Sequence, residues 1–343
     1  MAGSFGRVEG SGALQANIRG MAISQMLGAA CDVGLPDAIG ADEEAEVSAL
    51  ADTLGCHPDA LLRLARALAA LGLFTVTPQG RVRHTATSLM LRSESAPSQH
   101  WAARFWTLPA VWAAWGSLAH SVRTGEPAFR HANGRTFFEH LNEAPADRSL
   151  FDGFMQAGFA GRHDAAASAL QFADGETVVD VGGGSGALLR AILSRNPRAS
   201  GLLYDLPSVV AGAPAVLDTA DLRERCRVVG GDFFQSVPAG GSTYLLCWVL
   251  HDWPDDAAIT ILRSLRAAMA PGARLVIIDR LLDADPAQCD AYDLLHDINM
   301  LVLFQGRERT EAEFNRLMAE AKFSNVAPTL AQPMFSLLET YPE

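Results

Sequence analysis

The sequence predicts an α/β fold: a mostly parallel, doubly wound sheet over residues 166–343, preceded by a mainly helical N-terminal domain with a winged-helix arrangement. Three observations predict it. First, the β-branched run Val178-Val179-Asp180-Val181 opens into Gly182-Gly183-Gly184-Ser185-Gly186, and helical apolar spacing follows over 187–193. Second, strand and helix patterns alternate from there onward, which implies parallel strands with helices on both faces. Third, the first hundred residues carry short helix signals and a single small hairpin.

Residues 1–12 are rich in Gly and Ser and read as a flexible tail. A domain over 13–100 follows, with helices at 23–39 (broken at Gly34-Leu35-Pro36), 47–54 and 58–71. Leu73-Phe74-Thr75-Val76 and Val82-Arg83-His84 pair around the turn cluster 77–81. Two helices and a hairpin of this kind can read DNA, but Arg63, Arg66, Arg81 and Arg83 are cancelled by Asp37, Asp42, Glu43, Glu44, Glu46, Asp52 and Asp59. Without a basic face, packing or dimerisation is the favoured role. Residues 101–165 read as linking helices. Their aromatic stripe (Trp101, Phe105, Trp106, Trp112, Trp115) suits a core or a dimer interface more readily than a ligand wall.

In the third segment, 166–343, strands are expected at 177–181, 201–204, 227–229, 243–250 and 274–278, with a helix at 257–268 ending before Pro271-Gly272. Ligands of open α/β sheets sit beyond the carboxyl ends of the strands. Polar groups follow every strand there: Asp180 with its glycines, Asp205, Gly231-Asp232-Phe233, His251-Asp252-Trp253, and Asp279. Such convergence marks an active site. The glycine pattern alone leaves the ligand open. Gly182, Gly184 and Ala187 satisfy a dinucleotide fingerprint, while Asp180 with Gly182, Gly184 and Gly186 satisfies the loop of S-adenosylmethionine (SAM) enzymes. Asp205, 25 residues past Asp180, suits a ribose diol under either reading.

Composition narrows the classes. The net charge of −12 argues against a nucleic-acid partner. No apolar run approaches the ~20 residues of a membrane helix. Five scattered cysteines without a C-x-x-C pair argue against disulfides and structural zinc, and fit a cytoplasmic protein.

Val178–Leu189, Tyr204-Asp205-Leu206-Pro207, Gly230-Gly231-Asp232-Phe233-Phe234, Leu250-His251-Asp252-Trp253-Pro254-Asp255-Asp256 and Gly306-Arg307-Glu308-Arg309-Thr310-Glu311 occur in order. With these the chain resembles, over nearly its whole length, SAM-dependent O-methyltransferases similar to plant caffeic acid and bacterial natural-product (hydroxyneurosporene-type) enzymes. The resemblance implies a Rossmann-like SAM-methyltransferase domain, a homodimer through the N-terminal domain, and SAM as cofactor. It implies that Gly182, Gly184 and Gly186 pass under the methionine part of SAM, with Asp205 and the following Leu206 at the ribose. Asp232 and Phe233 address the adenine, Trp253 shields its other side, and His251 is the general base. Asp279 and Glu308 match the two acids flanking that base, Asp279 standing where plant members carry Glu. Met155 matches a methionine of the acceptor pocket, and Cys247 stands where plant members have a lysine near the cofactor.

The implied reaction moves one methyl group to a hydroxyl of a small aromatic or polyketide-like metabolite. A phenol with pKa near ~10 needs a base at pH 7, and a histidine near ~6.5 with a carboxylate behind it supplies one. Phe151, Phe154, Phe159, Met300 and Phe304 read as acceptor wall or plain core, with Asp252 and His296 as polar members. Rival readings are a relative with altered chemistry (C- or N-methylation, hydroxylation, decarboxylation or a pericyclic step), a metal-assisted variant through His251, Asp252 and His296, a nicotinamide oxidoreductase, and a ligand-sensing regulator. No metal is the expectation.

Overall fold

A computed structural model describes residues 10–217, 219–332 and 335–343. They form two compact units, one of residues 10–117 and 129–159, the other of residues 118–128 and 160–343. The linking segment expected at 101–165 is therefore divided between the two. Residues 118–128 fall in the second unit, where helix Leu118–Thr124 packs on helix Ala291–Leu303.

In the first unit the helix expected over 23–39 is two helices, Gly20–Asp32 and Leu35–Ala38. Gly34 takes a left-handed φ of 80° and Pro36 restarts the chain, so one apolar pattern spans a corner. Pro58–Ala70 follows the expected helix closely and buries Leu61, Ala65 and Leu68, one stripe at helical spacing. The hairpin forms as β2 (Phe74–Val76) and β3 (Arg81–His84), and a further strand, β1 (Glu44–Glu46), pairs antiparallel with β3. Acidic side chains hid β1 from pattern reading. Arg81 compensates them, with its Nε 3.0 Å from Glu44 and an Nη 3.7 Å from Glu46. The helical stretch that carries the aromatic stripe divides at Pro109 into His100–Trp106 and Pro109–Gly116. Residues 1–9 of the expected tail lie outside the described residues. Residues 10–12 open helix Gly10–Ile18, which buries no residue.

The second unit is built on a seven-stranded sheet. Its strands are β4 (Thr177–Val181), β5 (Ser200–Asp205), β6 (Cys226–Gly230), β7 (Thr243–Cys247), β8 (Arg274–Asp279), β11 (Ala327–Gln332) and β12 (Phe335–Thr340). Two short segments, β9 (Leu281–Leu282) and β10 (Arg309–Thr310), pair in parallel beside it. The order β11-β12-β8-β7-β4-β5-β6 places β5 and β7 on opposite sides of β4, so the strand order reverses at β4. β4 to β8 are parallel, and β12 joins β8 antiparallel. The last two strands lie beyond the strand–helix alternation that marks the others in the sequence.

Side chains alternate between the two faces. Val179 and Val181 of β4 and Tyr244 and Leu246 of β7 join a core with helices Asp255–Ala268 and Glu311–Ala321. Val178 and Leu245 face the opposite core, where helix Ala187–Arg195 contributes Leu188, Leu189, Ile192 and Leu193. Among the described residues no helix is long and apolar enough to cross a membrane. Gly201 lets that helix close on β5, because a Cβ there would lie 2.8 Å from Leu193 and 3.0 Å from Leu189. Gly201→Val is expected to cost about 1–3 kcal/mol of stability, read as a lower urea midpoint, because the core has no room for the added methyls.

Candidate active site

The loop after β4 is shaped by what lies above and below it. Gly182, Gly184 and Gly186 take φ values of 71°, 60° and 86°, and Gly186 caps helix Ala187–Arg195. Gly183, given no role from sequence, is required for a different reason. A Cβ there would sit 2.6 Å from the Asp180 carboxyl and 2.5 Å from Leu203. A Cβ on Gly184 would meet no protein atom within 4 Å, so the loop presents bare backbone on that side. Asp205, at the end of β5, accepts from the Gly184 N–H at 2.9 Å and the Leu206 N–H at 2.7 Å. Leu206 is exposed. Asp180 is fully buried, and neither of its carboxylate oxygens has a hydrogen-bond partner among the described residues. Burial, reinforced by the charge of Asp205, pushes its carboxyl up to about 7.

Asp232 accepts from the Phe234 N–H at 2.9 Å, and Phe233 passes 3.6 Å from the Cβ direction of Gly182. The rings of Phe233 and Trp253 are edge to face, 6.1 Å apart at 87°. The expected sandwich needs two parallel faces, so this arrangement offers a base one flat ring and not two. Cys247 ends β7, and its thiol is pushed up by burial and by Asp180 and Asp279, so it stays neutral.

β7 stops at Cys247, not at Leu250 as expected, because Trp248 takes a left-handed φ of 51°. The chain then makes a single 3₁₀ turn, Leu250–Asp252, which carries His251. Glu308 sits beneath the ring: its Oε1 is 3.0 Å from His251 Nδ1, while Asp279 Oδ1 is 3.3 Å from the same nitrogen. A second imidazole shares that oxygen, with His296 Nδ1 2.7 Å from Glu308 Oε1. The two rings lie 5.7 Å apart, inclined by 20°. Asp252 Oδ1 is 3.5 Å from His251 Nε2.

These carboxylates decide the charge of the ring. Burial alone would lower His251, but Asp279, Glu308 and Asp252 outweigh it and push the imidazole up to about 10. The ordinary histidine value assumed from sequence therefore does not hold. Burial pulls Glu308 upward, yet the charge of His251 and hydrogen bonds from both histidines carry it down to about 2. An ionised carboxylate only accepts, so both Nδ1 atoms carry protons. Burial raises Asp279 to about 6 and Asp252 to about 7 against the opposing pull of His251.

The scaffold of this cluster was missed in the sequence. Arg309 is 1% exposed; its guanidinium donates to Leu250 O at 2.8 Å, Trp253 O at 2.8 Å and Asp255 Oδ1 at 2.8 and 3.0 Å. Arg307 N–H donates to His251 O at 2.9 Å, and a Cβ on Gly306 would fall 1.9 Å from that same oxygen. The Glu308 N–H is held by Asp297 at 2.8 Å. β9 and β10 place Arg309 opposite Leu281, which fixes Glu308 relative to Asp279. Arginine is ordinarily a surface residue, so nothing in the pattern marked its burial.

The remaining acceptor candidates divide. Met300 is buried on helix Ala291–Leu303, one turn past His296, and Phe304 caps that helix. Phe151 and Phe154 belong to an aromatic cluster of the first unit. Phe154 stacks on Phe105 at 4.4 Å, and Phe151 lies 5.2 Å from Phe137. Met155 is half-buried on the same helix, and the side chain of Phe159 lies outside the described residues. In place of the rival ion set His251, Asp252 and His296, the structure brings ligand atoms of His251, His296 and Glu308 within 4.8 Å of one another. His296 turns its Nδ1 to Glu308, and the distances around that oxygen are those of direct hydrogen bonds.

An O-methyltransferase domain model matches residues 115–324, and an O-methyltransferase dimerisation domain model matches residues 16–94. The chain is 40% identical over 325 residues to an O-demethylpuromycin-O-methyltransferase of Streptomyces alboniger, spanning 93% of this chain and 86% of that one. The mitomycin 7-O-methyltransferase MmcR superposes with a TM-score of 0.90 at 34% identity, covering 97% of each chain. The O-methyltransferase NcsB1 of neocarzinostatin biosynthesis, solved with SAM and 2-hydroxy-5-methyl naphthoic acid, gives a TM-score of 0.80 at 33% identity, covering 94% and 96%.

Two measurements check this geometry. Arg309→Met is expected to cost about 2–4 kcal/mol in chemical unfolding, because it strands the Leu250 and Trp253 carbonyls. The second concerns Asp180. Its folded-state value lies above its unfolded one, so stability through this group is greatest below the ordinary carboxyl range and is lost as pH rises toward 7. At ~1.4 kcal/mol per unit the loss is on the order of 4 kcal/mol. Asp180→Asn should flatten that part of the pH–stability curve between pH 4 and 7, measured without ligand.

Proposed function

The chain belongs to the SAM-dependent O-methyltransferase family, and from that premise we propose that it methylates a hydroxyl of a small aromatic or polyketide-like acceptor, with His251 taking the proton. The observation that carries this reading is the buried imidazole of His251, held through Nδ1 by an ionised Glu308 at the sheet edge that also bears the glycine loop. The residues present fit the cofactor. The loop is bare at Gly184, Asp205 is fixed by two backbone N–H groups, and the orphaned Asp180 lies beneath. Gly182, Gly184 and Gly186 would hold the methionine part, Asp205 and Leu206 the ribose, and Asp232 with Phe233 or Trp253 the adenine.

SAM supplies an activated methyl group, so this chain has only to hold the acceptor and take its proton. Glu308 fixes His251 with its proton on Nδ1, which leaves Nε2 as the nitrogen that accepts. Asp279 stands behind the same edge and stabilises the imidazolium. A phenol near ~10 and an imidazole raised to about 10 are closely matched, so proton transfer between them is nearly level in energy. Asp252, His296, Met300 and Phe304 are the proposed acceptor wall on this unit. The exposed apolar residues Leu14, Ile18, Met21 and Ile23 of the leading helices support a homodimer through the N-terminal domain. The unpaired cysteines support a cytoplasmic location.

His251→Ala should lower turnover by about 10²–10⁴-fold while S-adenosylhomocysteine still binds by calorimetry. Unchanged turnover would remove His251 from the role. In the wild type, kcat/KM should rise from neutral pH toward about 10 as the imidazolium loses its proton. Glu308→Gln removes a carboxylate that raises His251, so the rise should begin at lower pH.

A further inference from the structure

The oxygen that steadies His251 is not its alone. Glu308 Oε1 receives Nδ1–H from His251 at 3.0 Å and from His296 at 2.7 Å, the second bond being the shorter. The rings stand side by side, 5.7 Å apart at 20°, and Asp279 Oδ1 lies farther from His251 Nδ1, at 3.3 Å. A carboxylate oxygen that already carries one N–H donor has less charge to offer a second.

We propose that His296 is a positioning residue that sets the proton affinity of His251 by sharing Glu308 Oε1, so that the base is weaker than a histidine with Glu308 to itself. The effect needs His296 to remain a neutral donor, since a charged ring would also repel His251 directly. Burial lowers His296 below the ordinary histidine range despite the upward pull of Glu308, which keeps it neutral around pH 7. Its side chain is 21% exposed against 8% for His251. Other charged groups face the cluster from every packed element. Asp252 comes from the 3₁₀ turn and Asp279 and Arg280 from the end of β8. Asp293 and Asp297 come from helix Ala291–Leu303, and Arg307 and Arg309 from the segment entering β10. Arg280 pairs with Asp293, Arg307 with Glu313 and Arg309 with Asp255, so each of these cations is engaged and the remaining variable is the second imidazole.

The inference rests on the reading above for its catalytic meaning, but its test needs no turnover, so each can fail alone. Histidine-labelled protein would be titrated by NMR in an Asp279→Asn background, which removes one carboxylate and brings the His251 transition down into an accessible range; His251→Gln assigns the signal. His296→Leu is expected to move the His251 midpoint up by ~0.5–1 unit, the net worth of about one ordinary hydrogen bond. His296→Asn, which keeps an N–H donor, should restore most of the parent value. An unchanged or lowered midpoint in the leucine variant overturns the proposal, as does an asparagine variant that behaves like leucine. Should the leucine variant fail to fold, His296→Met carries the same comparison.

Discussion

The active-site cluster depends on one constraint: the segment Gly306–Arg309 is pressed against the underside of the turn Leu250–Trp253. Four contacts make that junction. Gly306 approaches His251 O too closely for any Cβ, Arg307 N–H donates to that oxygen, Glu308 binds the ring, and the Arg309 guanidinium closes on Leu250 O, Trp253 O and Asp255. Successive residues of one short stretch thus hold the backbone, the side chain and the following loop of the same histidine. A buried arginine is tolerable here because it spends its donors on carbonyls that would otherwise be orphaned.

That junction concentrates charge. Asp252, Asp279 and Glu308 surround one imidazole, and their carboxyls are kept apart in behaviour by their own surroundings. Glu308 has two imidazole donors and stays ionised, whereas the buried Asp279 and the partly buried Asp252 are raised. Pairs of groups pushed in opposite directions are the usual mark of assigned proton roles. The family to which the chain belongs moves a methyl group, a reaction that asks its protein for alignment and for somewhere to put a proton.

The glycine loop illustrates a different economy. Sequence reading explained Gly182, Gly184 and Gly186, and the structure gives each a left-handed φ. Gly183 was left without a reason, since its own is a collision with the Asp180 carboxyl that no local pattern reveals. The parallel strands β4 to β8 were legible as short runs rich in apolar residues, most of them separated by helices. β1, β11 and β12 were not, because acidic composition in one case and the end of the alternation in the others removed the signal. The aromatic slot inferred for Phe233 and Trp253 fails on orientation, a property that residue types do not carry.

Chemistry written in the order of the chain was settled by the sequence: a glycine turn after one strand, an acid after the next, a histidine and two carboxyls further on. Such patterns are local, and strand ends in a parallel sheet converge of necessity. Only the tertiary structure decided which carboxyl holds the ring, that a second histidine shares it, and that the imidazole is raised instead of ordinary. Those outcomes depend on burial and on distances between residues 57 and 12 positions apart, where an ångström changes a contact into a hydrogen bond.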